Sequence, residues 1–307
     1  MYDLIIVGGG PAGTAAGVYA SRKRLNTLLI TKDWGGQSIV SPDIQNWIGT
    51  PHISGDALAK SLADHLRTYA DEILTIKDKS AVTKLEKTAD GFSVTLDDGS
   101  VEEARSVLVA SGSKRRQLSV PGADVFENKG LTYCASCDGP LFAGMDVAVI
   151  GGGNAGFETA AQLLAYAKSV TLLHHGEKFK ADPVTIDHVL KHPNMKAISG
   201  AETLAIIGDK FVSGLRYKDT ASGTEHELPV SGIFVEIGMI PNTDFVKDIL
   251  PLDEYGRVKI DPWTQKTEVA GVWAAGDCTN IKYHQNNISA GDAVRALEDI
   301  YVTLKTK

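Results

Sequence analysis

The sequence predicts an α/β protein built on two βαβ units. Two glycine clusters and the apolar runs around them carry that reading. The first cluster follows Leu4-Ile5-Ile6-Val7 and reads Gly8-Gly9-Gly10-Pro11-Ala12-Gly13. The second follows Val147-Ala148-Val149-Ile150 and reads Gly151-Gly152-Gly153-Asn154-Ala155-Gly156. Each spells G-x-G-x-x-G and opens a segment of helical character, Ala12 to about Arg24 and Asn154 to about Lys168. A further apolar run closes each unit, Leu28-Leu29-Ile30 and Val170-Thr171-Leu172-Leu173. A lone G-x-G-x-x-G is a weak signal, but strand, turn, helix and strand in that order is the context of a dinucleotide-binding fingerprint. The first glycine makes the tight turn, the second admits a pyrophosphate, and the third packs helix on strand. The helix N-terminus then offers unpaired N–H groups to the phosphates.

The other elements follow in chain order. Ser54 to Tyr69 reads as an amphipathic helix, with Leu58, Leu62 and Leu66 on one side and Ser54 as N-cap. Val82–Leu85 and Phe92–Leu96 read as short strands, and Asp98-Gly99 as a hairpin turn. Val107-Leu108-Val109-Ala110 is a further strand, ending at Ser111-Gly112. Strands are expected again at Phe211–Tyr217, Ile233–Ile237 and Gly271–Ala275, the last running into Gly276-Asp277. A final helix is expected over Ile288–Leu304.

Composition bounds the function. At ~150 residues per domain, 307 residues suggest two domains. The net charge of -7 argues against nucleic acid as a partner, because phosphate binding needs a basic face. Three cysteines are too few for a disulfide scaffold. No basic segment with a cleavage site precedes the first strand, and no run reaches the ~18 apolar residues of a membrane span. The expectation is a cytoplasmic protein with no membrane partner.

Two nucleotide-binding units imply two ligands or one domain used twice, and hydride transfer needs both a donor and an acceptor. The chemistry centres on Tyr133-Cys134-Ala135-Ser136-Cys137-Asp138-Gly139-Pro140. A C-x-x-C pair beside dinucleotide folds reads as a redox disulfide. A zinc site would need two more ligands, and no H-x3-5-H pair accompanies the motif, so no metal is expected. An inert pair is the plain alternative. A buried Asp138 would be a general acid for the leaving thiolate, and an exposed one a turn aspartate. Cys278 reads as a buried structural thiol.

Further short motifs join these: Gly35-Gly36-Gln37, Asn46, Val120-Pro121-Gly122, Gly232-Ile233-Phe234, Ile237-Gly238, Pro241-Asn242-Thr243 and Ala275-Gly276-Asp277-Cys278. Together, over essentially the whole chain, they resemble the low-molecular-weight thioredoxin reductase family. The likeness is greater still to the flavoprotein core of the alkyl hydroperoxide reductase flavoprotein subunit, without its N-terminal domain. The resemblance implies two Rossmann-like, three-layer ββα domains, the second inserted into the first. Residues 1–113 and 246–307 would bind FAD, and residues 114–245 would bind a nicotinamide nucleotide and carry the cysteine pair. It places Gly8, Gly10, Pro11, Ala12, Gly13, Gly35, Gly36, Gln37, Asn46, Ala110, Gly112, Gly276, Asp277, Gln285 and Asn286 around FAD. It places Gly151, Gly153, Asn154, Ala155, Gly156, His174, His175 and Lys180 around NADPH or NADH. Cys137 would take electrons from the flavin, Cys134 would attack the partner's disulfide, and Asp138 would supply the proton. The implied enzyme is a homodimeric thioredoxin-disulfide reductase (EC 1.8.1.9) acting on a thioredoxin- or glutaredoxin-like protein.

The sequence departs from that pattern at the donor site. Relatives using NADPH carry His-Arg-Arg where this chain has His174-His175-Gly176, and those using NADH carry an acid at the position of His174. Both are missing, so NADPH, NADH and a non-nicotinamide donor such as reduced ferredoxin stay open. A 2′-phosphate prefers bidentate arginine. The tail His284-Gln285-Asn286 replaces Arg-Gln-Ala. A ferredoxin–NADP reductase on the same fold would lack the cysteine pair. A non-catalytic, redox-sensing flavoprotein is the remaining alternative.

Overall fold

The structure is a computed structural model and describes residues 1–41, 43–70 and 73–305, the Val40 side chain excepted. The chain divides into two compact units, Met1–Lys114 with Ile240–Lys307, and Arg115–Met239. The second crossing therefore lies at Met239–Ile240, ahead of the expected residue 246. The reason is packing: Phe245, Val246, Ile249 and Leu250 join the apolar core of the first unit.

The first unit opens with β1 (Tyr2–Gly9), α1 (Pro11–Arg22), β2 (Thr27–Trp34), α2 (Gly55–Arg67) and β3 (Leu74–Asp78). The hairpin strands β4 (Val82–Lys87) and β5 (Phe92–Leu96) follow, then β6 (Val101–Val109). β7 (Ser113–Arg115) leads into the second unit. That unit holds α3 (Ala123–Phe126), β8 (Leu131–Thr132), α4 (Ala135–Asp138), β9 (Asp146–Ile150), α5 (Asn154–Leu163) and β10 (Ser169–His174). It continues with α6 (Pro183–Leu190), β11 (Met195–Ser199), β12 (Ala201–Gly208), β13 (Val212–Asp219), β14 (Glu225–Pro229) and β15 (Gly232–Val235). β16 (Met239–Pro241) returns the chain and pairs with β7. β17 (Val272–Ala274) and α7 (Asn286–Lys305) complete the first unit.

The first sheet runs β3-β2-β1-β6, with β17 also on β6, and all these pairs are parallel. The antiparallel β4–β5 hairpin joins the N-terminal half of β6. β1 shows why this is a layered fold. Its side chains alternate, so Leu4 and Ile6 pack with Leu66, Leu297 and Ile300 of the helices. Ile5 and Val7 pack with Leu85, Phe92 and Val94 of the hairpin. A parallel strand buried on both faces must read as a continuous apolar run, and β1 does.

The second unit repeats the plan. Its sheet order is β11-β10-β9-β15-β8. Val147 and Val149 pack under α5 with Phe157 and Leu163. Ala148 and Ile150 face Ile206, Val212 and Leu215 of the three-stranded β12-β13-β14 sheet. Both units are thus three-layer ββα, Rossmann-like domains, the second inserted into the first.

Differences from the expected elements are local. α5 stops at Leu163, where Ala165, Tyr166 and Ala167 turn back on Gln162 and Leu163. α7 begins two residues early, at Asn286. Ser54 caps α2 by accepting from the Ala57 N–H, and Gly99 takes φ +83° in the β5–β6 turn. β3, α6, β11, β12 and β14 have no counterpart in the sequence reading, because their apolar positions are few or irregular. In α6, for instance, only Val189 is buried.

All four tryptophans lie in the first unit, so tryptophan fluorescence reports its unfolding alone. Leu297 is wholly buried in the cluster that seats α7. Leu297→Ala is expected to destabilise this unit by about 2–5 kcal/mol, read as a lower urea midpoint by fluorescence. An unchanged midpoint would mean that α7 does not help hold the sheet.

Candidate active site

The two glycine loops have the same internal logic. Gly8 and Gly151 take φ +122° and +132°, a region that side chains avoid. A Cβ on Gly13 would lie 1.8 Å from the Gly8 carbonyl oxygen, and one on Gly156 would lie 1.8 Å from that of Gly151. A Cβ on Gly152 would meet the His174 ring at 2.5 Å, and one on Gly9 would meet Thr31 Oγ1 at 2.5 Å. The protein's own packing therefore demands these glycines. The middle ones differ. Gly10 has φ -79° and its nearest neighbour, Gly36, is 3.8 Å from an added Cβ. Gly153 has φ -93° and nothing within 4 Å. Neither backbone nor packing requires glycine at Gly10 or Gly153, whereas close approach by a ligand would. Gly10 and Gly153 are also the N-cap residues of α1 and α5, and no side chain caps either helix. Their first N–H groups are left for another acceptor.

In the first unit, the parallel strands β1, β2, β6 and β17 end on one edge. That edge gathers the sequence-predicted residues. Gly35 and Gly36 follow β2 with φ +82° and +62°. Gln37 Nε2 donates to Ser113 Oγ at 3.2 Å. Ala110 lies on Gly8, its carbonyl oxygen 2.2 Å from a Cβ added there, and Gly112 turns with φ +64°. Asn46 Nδ2 donates to Gln285 Oε1 at 3.2 Å, and Asn287 Nδ2 donates to the Asn46 carbonyl at 2.7 Å. Ser38 Oγ donates to Asn286 Oδ1 at 2.8 Å. The α7 N-terminus is thus tied to the segment after β2.

Gly276 packs on Ala12 and Ser289, and Asp277 Oδ1 accepts from Ser289 Oγ at 3.2 Å. His284 Nδ1 lies 3.4 Å from the same oxygen, without hydrogen-bond geometry. Trp34 Nε1 at the end of β2 and Asp292 Oδ2 on α7 are buried polar atoms without a hydrogen-bond partner. Burial holds the Asp292 carboxyl above the usual carboxylate range.

The cysteine pair lies in the second unit. Cys134 and Cys137 form a disulfide across the four-residue turn of α4, with Cα atoms 5.3 Å apart. The N–H of Asp138 donates to the Cys134 carbonyl at 3.0 Å. The Thr132 hydroxyl donates to Asp138 Oδ2 and accepts from the Cys134 N–H at 3.3 Å. Thr132 therefore links the carboxyl to the disulfide loop. Burial pushes the Asp138 pKa up, against the smaller opposing pulls of Thr132 and Arg115. Gln162 on α5 accepts from Ser136 at 3.2 Å and steadies the turn. Cys278 is separate. It is fully buried in the first unit, its thiol pushed up to about 11 by burial, so it stays protonated and unreactive.

The donor side is also in the second unit. From β9 the chain winds through β10 to β11, then returns to β15 on the other side of β9. The switch point between β9 and β15 is where such sheets open a crevice. Gly151 and Glu236 flank it, and the Glu236 N–H donates to the Ile150 carbonyl at 2.8 Å. The Glu236 carboxyl accepts from Thr159 Oγ1 on α5 at 2.9 Å. Burial raises its pKa to about 7, while Thr159 and Arg115 pull the other way.

His174 is buried at the end of β10, its ring under Gly152 and its Nε2 3.0 Å from the Lys178 carbonyl. Burial, helped by His175, depresses its pKa, so the ring is neutral. It supports the loop from beneath and offers no charge. His175 and Lys180 are exposed, as are Asn154 and Ala155 at the start of α5. The Lys180 N–H donates to the Gly152 carbonyl at 2.7 Å, and Asn154 Oδ1 accepts from the Asp182 N–H at 2.8 Å. Among the described residues, no group of three His, Cys, Asp or Glu side chains is placed to hold a metal. None of their helices is long and apolar enough to cross a membrane.

Sequence reasoning missed Thr132, Glu236, Thr159, Ser113 and Trp34. Glu236 had a legible signal, an acid directly behind a wholly apolar strand. The others are ordinary residues that only the fold brings to the site.

Two nucleotide-type loops and a disulfide on one chain define a class, and comparison with known proteins agrees. Residues 2–291 match the family described as pyridine nucleotide-disulphide oxidoreductase, and the chain belongs to it. It is 40% identical over 296 residues to a subunit of alkyl hydroperoxide reductase from Escherichia coli K12, covering 96% of this chain and 57% of that protein. It is 39% identical over 295 residues to a protein of Ferdinandcohnia aciditolerans named "NADH dehydrogenase", covering 96% of this chain and 56% of that one. The chain thus spans little more than half the length of these relatives. Among solved structures, thioredoxin reductase from Streptococcus pyogenes matches with a TM-score of 0.90 at 32% identity, covering 100% of this chain and 99% of that one. Thioredoxin reductase from Giardia duodenalis matches with a TM-score of 0.91 at 28% identity, covering 98% and 99%.

The two glycine roles separate by mutation. Gly156→Ala is expected to lower the melting temperature, because its Cβ would strike the Gly151 carbonyl. Gly153→Ala is expected to leave stability within about 0.5 kcal/mol of wild type, since that side faces open space. It should nevertheless weaken dinucleotide binding. Equal loss of stability in both variants would contradict the assignment.

Proposed function

We propose that the chain is an FAD-dependent disulfide reductase, passing electrons from NADH to a thioredoxin- or glutaredoxin-like protein. The observation that carries this reading is the Cys134–Cys137 disulfide, held by Thr132 beside a half-buried carboxyl. The first unit takes FAD and the second the nicotinamide nucleotide. The residues fit such groups. Gly10 and Gly153 have no packing reason to be glycine, α1 and α5 lack caps, and Trp34 Nε1 is a buried donor awaiting an acceptor.

Gly8–Gly13, Gly35–Gln37, Ala110–Gly112 and Gly276–Asp277 would hold FAD, with Asn46, Gln285 and Asn286 at the α7 N-terminus. When bound, FAD relays two electrons from the nicotinamide to the disulfide. The chain's own residues manage the thiols. Two electrons break the Cys134–Cys137 bond, and Asp138, which keeps its proton above the usual carboxylate range, protonates one departing sulfur. The Cys134 thiolate attacks one sulfur of the partner's disulfide, forming a mixed disulfide and freeing the partner's other sulfur as a thiolate, which takes a proton from water. Cys137 gives its proton back to Asp138, attacks Cys134 and re-forms the internal bond, and the partner's second sulfur leaves as a thiolate that is protonated in turn.

Two observations favour NADH. His174 is buried and neutral where a 2′-phosphate would want a cation, and no arginine stands between His174 and Lys180. The exposed Lys180 is a point charge, a poorer match than a bidentate guanidinium. A relative named "NADH dehydrogenase" is consistent with that choice.

Anaerobic stopped-flow tests the scheme. NADH is expected to bleach the flavin with a second-order rate constant about tenfold or more above that for NADPH, the value of roughly one missing charge-assisted bond. Cys134→Ser is expected to keep that bleaching and lose reduction of a thioredoxin disulfide. Bleaching by neither nicotinamide would overturn the donor assignment. Undiminished thioredoxin reduction by Cys134→Ser would overturn the thiol scheme.

A further inference from the structure

Glu236 takes no part in the scheme above, yet it occupies a telling position. It follows β15 at the switch point of the second sheet, beside the Gly151–Gly156 loop. Its carbonyl oxygen is 2.1 Å from where a Cβ on Gly151 would stand, and its N–H bonds Ile150 at the end of β9. Its carboxyl is turned inward to Thr159 on α5, the helix whose uncapped N-terminus opens on the same crevice. The charged groups acting on it are Arg115 of β7, which opposes its protonation, and Glu158 of α5, which favours it. A bulk-exposed acid would stay ionised and repel a pyrophosphate. A half-buried acid that bonds a neutral hydroxyl has another course, to accept a proton.

We propose that Glu236 is a donor-site residue that favours the dinucleotide only in its protonated form, so that binding draws a proton from solution. The inference rests on the reading of the second unit as a dinucleotide domain.

The sign follows from linkage. A bound dinucleotide brings two negative charges to the crevice and disfavours ionised Glu236. By reciprocity, ionised Glu236 disfavours the dinucleotide. Free Glu236 changes charge near pH 7, so it is neutral on the acid side and ionised on the alkaline side. Affinity is therefore full below pH 7 and falls as pH rises above it. Burial pushes the His174 pKa below the usual imidazole range, away from the alkaline side on which the affinity falls. The Thr159 hydroxyl donates to the carboxyl and favours its ionised form, so removing it should move the fall in affinity to higher pH.

Titration calorimetry of the FAD-loaded protein with NAD⁺, repeated with NADP⁺, tests this between pH 6.5 and 8.5. Two buffers of different ionisation enthalpy report the protons taken up. NAD⁺ carries no titrating 2′-phosphate to confuse the count. Wild type is expected to bind NAD⁺ about three- to tenfold more weakly at pH 8.5 than at pH 6.5, with net proton uptake. Glu236→Gln, a near-isosteric neutral mimic, should bind with flat affinity and no proton uptake. Thr159→Val should keep the pH dependence with its midpoint shifted upward. Binding by wild type without pH dependence or proton uptake would overturn the role of Glu236 alone. So would an unchanged profile in Glu236→Gln. Failure of both nucleotides to bind at every pH would overturn the dinucleotide reading and this inference with it.

Discussion

The whole architecture depends on a helix pressed against the carbonyl that ends its preceding strand. It occurs twice, Gly13 on Gly8 and Gly156 on Gly151, each so close that a Cβ would stand 1.8 Å from the carbonyl oxygen. That contact sets the angle at which α1 and α5 leave the sheet. It also decides where their first N–H groups point, which is across the strand ends. Neither helix has a capping side chain, so the N-terminal charge of the helix dipole is left to the crevice. Small residues on α1 admit further close contacts in the first unit. Gly17, for example, has Leu66 of α2 2.6 Å from its would-be Cβ.

The electrostatics are the second theme. Asp98 and Asp219 are held below the usual range by hydrogen bonds from serines and backbone. Asp138, Glu236 and Asp292 go the other way, because burial outweighs their partners. The three sit beside the disulfide, beside the second glycine loop and beside Asp277 respectively. Burial thus holds the proton on these three acids to higher pH than an exposed carboxyl would keep it.

The sequence made the frame legible because the frame rests on short-range patterns. Apolar runs that end in G-x-G-x-x-G can be read along the chain, and so can C-x-x-C. The expected helices and core strands appear within a few residues of their places. What escaped depends on contacts that the linear pattern does not announce. Thr132 matters because a turn brings Asp138 back onto it, and Ser113 because Gln37 reaches it from the segment after β2. His174 looks like a ligand by position, but its ring is turned under Gly152. The chain crosses back at Ile240, earlier than expected, because Phe245 and its neighbours are drawn into the first core. No periodicity in so short a segment tells which core will take it.

The central claim is that Cys134–Cys137 is an electron store in series with a flavin, and a count of electrons tests it most directly. Anaerobic reductive titration of the FAD-loaded chain, followed by flavin absorbance and thiol assay, is expected to consume four electrons per chain, two for the flavin and two for the disulfide. The Cys137→Ser chain should then consume two. Wild-type protein that takes up only two electrons, with no new thiols, would contradict the account.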